Sequence, residues 1–375
     1  MIICKKIVNK LLMSLELLLN SLRDRVPFPT MSAILKLSDL PVSRGAKNTV
    51  DRILKEVSEG KKDYSSELEK LNDFYSDHLL ICEKAVQLFP VDRERINKII
   101  KLLKTHKIEK SDFRDSYPFP LSEDKLRATN SGLSLVKIVE SDENLNLIFC
   151  SKRFFTERIE INTFDLSPAT KKELDTYDEL FGIKNYFRQF FDVVVLWKHK
   201  PHIEVRVDVA RNISFQDRKK YTLEIAGQFN NLIERLLGIP SVLKAPVNFF
   251  PLIKKLYDKK GEGKVGELAF TTTQGSIKFE RMRLGSVDLR DEIYHKAGKA
   301  AVKDIDPYRL AILWDSPISE SLDIKNQLEL FLQGHCRDLS AGKQILEDII
   351  IRKCSCQEDY KFVFEKINEY LKDDG

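Results

Sequence analysis

Apolar residues recur at helical spacing through the first third of the chain. Val50, Ile53, Leu54 and Val57 fall on one face, followed by Leu68, Leu71, Phe74 and Tyr75, and then by Leu79, Cys82, Val86 and Phe89. Pro90 is the expected stop for the last of these. Asp92 should cap a further helix, "DRERINKIIKLLKTH", whose apolar side is Ile96, Ile99, Ile100 and Leu103. The run "DSYPFPLSEDKLRATNSG", rich in proline and small polar residues, reads as a linker.

Beyond it the period changes to two. "LSLVKIVE" and "LNLIFC" flank "SDEN" as a β-hairpin would, and "RFFTERIEIN", "DVVVLWK" and "HIEVRVDVA" follow as strand candidates. In the last of these Ile203, Val205, Val207 and Val209 alternate with His202, Glu204, Arg206 and Asp208, which predicts a half-exposed sheet with one charged face. A helix capped by Ser214 and stopped at Gly238 comes next, then a hairpin turning at Gln274 and Gly275, one more strand in "YRLAILW", and two amphipathic helices. The expected class is α+β: an amphipathic leader helix at 1–30, a helical domain at 31–115, a mainly antiparallel β-sheet domain at 130–315 and a helical C-terminal extension at 316–375.

Lys10 and Glu16 interrupt the leucine-rich leader, so it reads as neither a spanning segment nor a signal peptide but as a helix packing on the body or on a second copy. Met31 offers an alternative start. Lysine and arginine number 62 against 57 acids, for a net charge of +5, so any anion-binding surface must come from local clustering. Six scattered cysteines suit a reducing compartment, and a cytoplasmic location is expected.

The stretch "LPVSRGAKNTVDRIL" places a turn at Gly45 before a helix start, where outward backbone N–H groups and Lys47 favour an anion. It resembles the second half of the SAP motif, a DNA-binding module, and the resemblance implies phosphate contacts at Arg44, Lys47 and Arg52. The order of a helical head and a β-rich body with a charged strand is similar to the centromere protein N family, which implies nucleosome and DNA binding. Basic clusters recur: Lys98, Lys101 and Lys104 on one helix stripe; Lys198, Lys200, Arg206, Arg211, Arg218, Lys219 and Lys220 near Trp197 and Tyr221; and Lys278, Arg281 and Arg283 on a hairpin strand. Contacts of this kind would be to the nucleic-acid backbone and salt-dependent.

"RDEIYH" resembles the short signature of the HEPN ribonucleases, which implies a dimeric, metal-independent nuclease with Arg290 and His295 acting on the 2′-hydroxyl and scissile phosphate. "GEGKVGE" lacks the spacing of a phosphate-cradling loop, and His335, Cys336, Cys354 and Cys356 match structural zinc spacing poorly, so no cofactor or metal is expected. Three functions stay open. The first is nucleic-acid binding, most of all to duplex DNA, in a microbial defence setting that the Lys- and Ile-rich composition suits. The second is the HEPN-like ribonuclease. The third is a scaffold that joins a second copy or protein partners through its leader and C-terminal helices.

Overall fold

The computed structural model describes residues 2–371 apart from 163, 165, 211–212, 303, 319–325 and 341–343, so Arg211 and the tail from Lys372 lie outside it. Four helices open the chain: α1 (Ile2–Arg23), α2 (Phe28–Leu37), α3 (Ala46–Ser58) and α4 (Ser65–Ile81). The leader packs on the body, with Leu15, Leu18, Leu19 and Leu22 at most 2% exposed. Its apolar face lies against α3 and α4.

The helix expected through Val86 and Phe89 ends instead at Ile81, and β1 (Lys84–Pro90) takes its place. Glu83, at a φ of 52°, turns the chain, and every residue from Lys84 to Phe89 is buried. A strand buried on both faces shows no period of two, so its apolar positions also fit a helical stripe. After β1 come α5 (Arg93–Leu103), α6 (Asp112–Ser116) and α7 (Glu123–Ala128), the last two lying within the expected linker. The Asp92 carboxylate accepts from Arg95 N and caps α5 as its sequence predicts.

Next are β2 (Ser134–Glu140), β3 (Asn144–Glu160), α8 (Pro168–Leu174), β4 (Phe181–Trp197), β5 (His202–Asp208) and α9 (Phe215–Leu237). Ser214 caps α9 and Gly238, at a φ of 64°, stops it. Then follow α10 (Phe250–Asp258), β6 (Lys264–Thr272), β7 (Ile277–Arg281), α11 (Ile293–Ala301) and β8 (Ile305–Asp315). The expected helical extension from residue 316 supplies two strands as well as helices: β9 (Gln327–Gln333), α12 (Cys336–Ser340), β10 (Ile349–Arg352) and α13 (Gln357–Leu371).

Among the described residues the ten strands form one antiparallel sheet, ordered β2-β3-β4-β5-β1-β10-β9-β8-β6-β7. The α+β class is therefore as the residue pattern indicates, but the sheet draws its central strand from the helical head and two more from the tail. One face is covered by α1 to α4, α10 and α13, in a cluster running from Leu15 to Tyr370. On the other, Ile96, Ile99 and Ile100 of α5 and Ile225, Phe229 and Ile233 of α9 meet the valine side of β4 and β5. The charged side of β5 is not exposed: Glu204, Arg206 and Asp208 are at most 3% accessible, because α4 and α13 lie over it. Truncation of a fully buried aromatic at this second layer, Phe229→Ala, is expected to cost about 3–5 kcal/mol, measured by urea unfolding.

Candidate functional site

The cations singled out in the sequence do not share a surface. Arg44 and Lys47 are exposed at the start of α3, on one side of the sheet, where Arg52 pairs with Glu56 at 2.9 Å. Lys98, Lys101 and Lys104 lie on α5, on the opposite side; Lys98 pairs with Glu94 at 2.8 Å. Glu140 takes both Lys104, at 2.6 Å, and Lys198, at 2.7 Å. Lys278, Arg281 and Arg283 stand exposed at the far sheet edge, Arg281 facing Glu267 at 3.7 Å. Arg206 is not a surface residue: it is buried against Glu204 at 2.6 Å and over the Tyr360 ring at 4.1 Å.

Arg290 and His295 are not on one helix. Arg290 sits in a 3₁₀ turn, Leu289–Asp291, and His295 in α11. The Arg290 guanidinium pairs with Asp288 at 2.6 Å and donates to the carbonyls of Lys259, Glu262 and Gly263, tying down the end of α10. The His295 ring is buried, with Nδ1 2.5 Å from a Glu280 carboxylate oxygen and Nε2 2.9 Å from the Tyr257 hydroxyl. Both side chains are thus engaged in bonds that hold the fold.

A concavity does form where no motif pointed. It is a cleft of about 1060 Å³ between α1, the α7 segment and the outer edge of β4. Its origin is a mismatch of strand lengths. Strand β4 has 17 residues and pairs with β3 throughout, whereas β5 has 7 and reaches only Val193 to Leu196 of β4. From Phe181 to Asp192 no described strand pairs with the outer edge of β4. Phe191 N donates outward to Asp208 and its carbonyl accepts from Lys84, so Ile183, Asn185, Phe187 and Gln189 direct their backbone groups to the same side. Met13 and Leu17 of α1, 71% and 43% exposed, form part of the facing wall.

At the inner end of the cleft the Asp208 carboxylate collects Arg25 Nη2 at 2.8 Å, Phe191 N at 3.0 Å and Ala210 N at 3.1 Å, with Lys84 Nζ 3.8 Å away. Burial alone would raise its pKa, but Arg25 and Lys84 outweigh that and hold it well below the usual carboxylate range. Burial pushes Lys84 down to about 8, with Asp208 opposing. On the other sheet face Arg153 grips Asp192 through two bonds of 2.7 and 2.6 Å and lies between the rings of Phe190 and Tyr221. Three cations here meet two carboxylates. Arg25, whose side chain is 10% exposed, lines the cleft, and its Nε has no hydrogen-bond partner among the described residues.

Among the described residues no group of three or more His, Cys, Asp or Glu side chains is placed to hold a metal ion, and no helix is long and apolar enough to cross a membrane. Compared with protein-family models, curated proteins and solved structures, the chain matches none.

Another buried carboxylate, Glu83, gives the fold a pH signature. Burial raises Glu83 to about 7, although Arg352 and the Lys353 backbone N–H oppose this. The folded state therefore binds this proton more tightly than the unfolded chain, so its contribution is fully present below the unfolded value of 4.5 and is lost as pH rises towards 7. Between those limits the urea midpoint of the native chain should fall relative to that of Glu83→Gln, in which this decline is absent.

Proposed function

We propose that the chain is a protein-binding module that captures an extended segment of another polypeptide along the outer edge of β4. The observation that carries this reading is the unpaired half of β4 opening into a large cleft. An open edge presents a row of N–H and C=O groups that a further strand satisfies, and side-chain pockets beside it supply selectivity. Open edges are hazards that folded proteins usually blunt, so one kept open inside a cleft is a feature with a use.

The lining gives the partner its chemistry. Met13, Leu17, Leu121 and Phe187 offer apolar contacts along the cleft, and Arg25, paired with Asp208, closes its inner end. An extended segment with apolar side chains fits this lining. The arm beyond the cleft adds exposed apolar area, with Phe154 at 56%, Phe181 at 41% and Ile183 at 74% on one face of the hairpin. This is the adaptor class of function, with α1 serving as a wall of the site rather than as a free docking helix. The scattered cations, about half of them paired, give the nucleic-acid reading no comparable surface.

Selection from a displayed peptide library on the full chain tests this, followed by fluorescence polarisation of the selected peptide. Asn185→Pro removes one outward N–H next to the cleft-lining Lys184 and Tyr186 and leaves the β3 side of the ladder in place. It should weaken the peptide about tenfold, while Asn185→Ala does not. Equal affinity for Asn185→Pro would overturn the edge mode. So would a labelled DNA duplex that binds in preference to any selected peptide, loses affinity steeply with salt and is unaffected by Asn185→Pro.

A further inference from the structure

At the other end of β4 lies a smaller void of about 280 Å³, lined by Trp197, Tyr360 and Phe364 with Glu143 and Glu365 among its other walls. The rings are held rigidly. Trp197 Nε1 donates to one oxygen of the buried Glu204 at 2.5 Å and the Tyr360 hydroxyl to the other at 2.9 Å, while Tyr360 and Phe364 stack at 5.8 Å. All three aromatic residues are at most 5% exposed. Arg206 lies over the Tyr360 ring at 4.1 Å and Phe364 stacks on it, so the rings turned to the void are Trp197 and Phe364, and before them stands the ammonium of Lys200, 3.6 Å from the Trp197 ring centre and 5.3 Å from that of Phe364.

Lys200 fits that place poorly. Among the described residues its ammonium makes no ion pair within 4 Å, and none of its N–H donors has a recorded acceptor. Burial lowers its pKa, and Glu204 and Glu143 only partly oppose this. Among the described residues the box thus offers ring faces to a positive charge but no acceptors to its N–H groups, which are left to solvent. A methylated ammonium carries the same charge, has few or no N–H donors and sheds its water at lower cost.

We propose that Trp197 and Phe364, with Tyr360 stacked behind Phe364, form a binding site for a methylated ammonium group, and that Lys200 occupies it as a tethered stand-in until such a ligand arrives. The ligand class is a quaternary or methylated ammonium, carried either on a small molecule such as choline or on a trimethyllysine side chain. Glu365 at the rim favours a cation on approach, whereas Glu143 is already paired with Lys361 at 2.9 Å. Lys200 lies in the turn between β4 and β5, so it can swing out without disturbing the ladder, and the ligand competes with it rather than with the fold.

Isothermal titration calorimetry of the full chain with choline, tetramethylammonium, ammonium and a trimethyllysine peptide beside its unmethylated form provides the test. Methylated ligands should bind the native chain weakly and Lys200→Ala about tenfold more tightly, because a tethered competitor has been removed. Ammonium and the unmethylated peptide should bind neither. Preference for choline over the peptide assigns the site to a small molecule, and the reverse preference to a modified protein; both outcomes support the proposal. Absence of binding by every methylated ligand to folded Lys200→Ala overturns it, as does ammonium binding as tightly as tetramethylammonium. Lys200→Ala alters a turn side chain outside the core, so its folding, checked by an unchanged melting temperature, keeps a negative result decisive.

Discussion

The Asp208 carboxylate is the point on which this architecture turns. It stands at the last residue of β5 and takes two backbone N–H groups, one from Phe191 of the neighbouring strand and one from Ala210 two residues beyond its own, together with the Arg25 guanidinium. By binding Phe191 N with a side chain, it ends the β4–β5 ladder cleanly and leaves no orphan donor at the break. The chain departs at that point, and β4 runs on without a neighbour on that side. Removing one partner of such a buried group leaves the other charge uncompensated in a low dielectric, which is why Arg25, Lys84 and Asp208 must be understood as one unit.

The same unit fastens the leader to the sheet. Arg25 follows α1, whose leucines fill the core beside α3 and α4, so the ion pair and the apolar contacts fix one wall of the cleft against the other. A wall set by a packed helix and a floor set by a buried ion pair leave little to rearrange on binding. Preorganisation of that kind lowers the ordering cost that otherwise weakens capture of an extended peptide. The two halves of the sheet are joined more sparingly, since β1 meets β10 only from Lys84 to Val86. Glu83, which accepts from Lys353 N across that seam, reinforces it with a side chain where the ladder is short.

Much of the fold was legible in the residues. The α5 and α9 boundaries follow their caps, and the hairpins at Ser141 and Gly275 follow their turn residues. What misled was burial on both faces. In β1 the two polar residues, Lys84 and Gln87, stand three apart and are both buried, so neither marks an outer side, and in β5 the alternation of valine with Glu204, Arg206 and Asp208 has the form of a solvated face although both sides are covered. The candidate site was less legible still. A lysine stripe can be read from spacing, and so can Glu94 beside Lys98, but the carboxylate that answers Lys104 comes from a remote segment, Glu140, which also takes Lys198. An unpaired edge is a statement about the length of a neighbouring strand, and nothing local to residues 181–192 encodes it. The nearest available signal was the run of apolar residues through Phe181, Ile183 and Phe187, too long for the short strand that follows it.

The charged row of β5 links the two ends of β4 in physical terms. Asp208 at one end closes the cleft, and Glu204 at the other holds Trp197 and Tyr360 in place through a bond to each. Arg206 between them neutralises Glu204 and stacks on Tyr360, so the carboxylate keeps its charge: burial would raise its pKa, yet Arg206 and His202 bring it down to about 2. Hydrophobic residues of the same volume would pack this layer at no greater cost in stability, since buried ion pairs seldom repay their desolvation. What a valine or leucine there could not do is orient an indole N–H, a phenol and a backbone amide at fixed angles. The row is therefore best understood as a device for positioning its neighbours, with β4 as the strand whose two ends it aims.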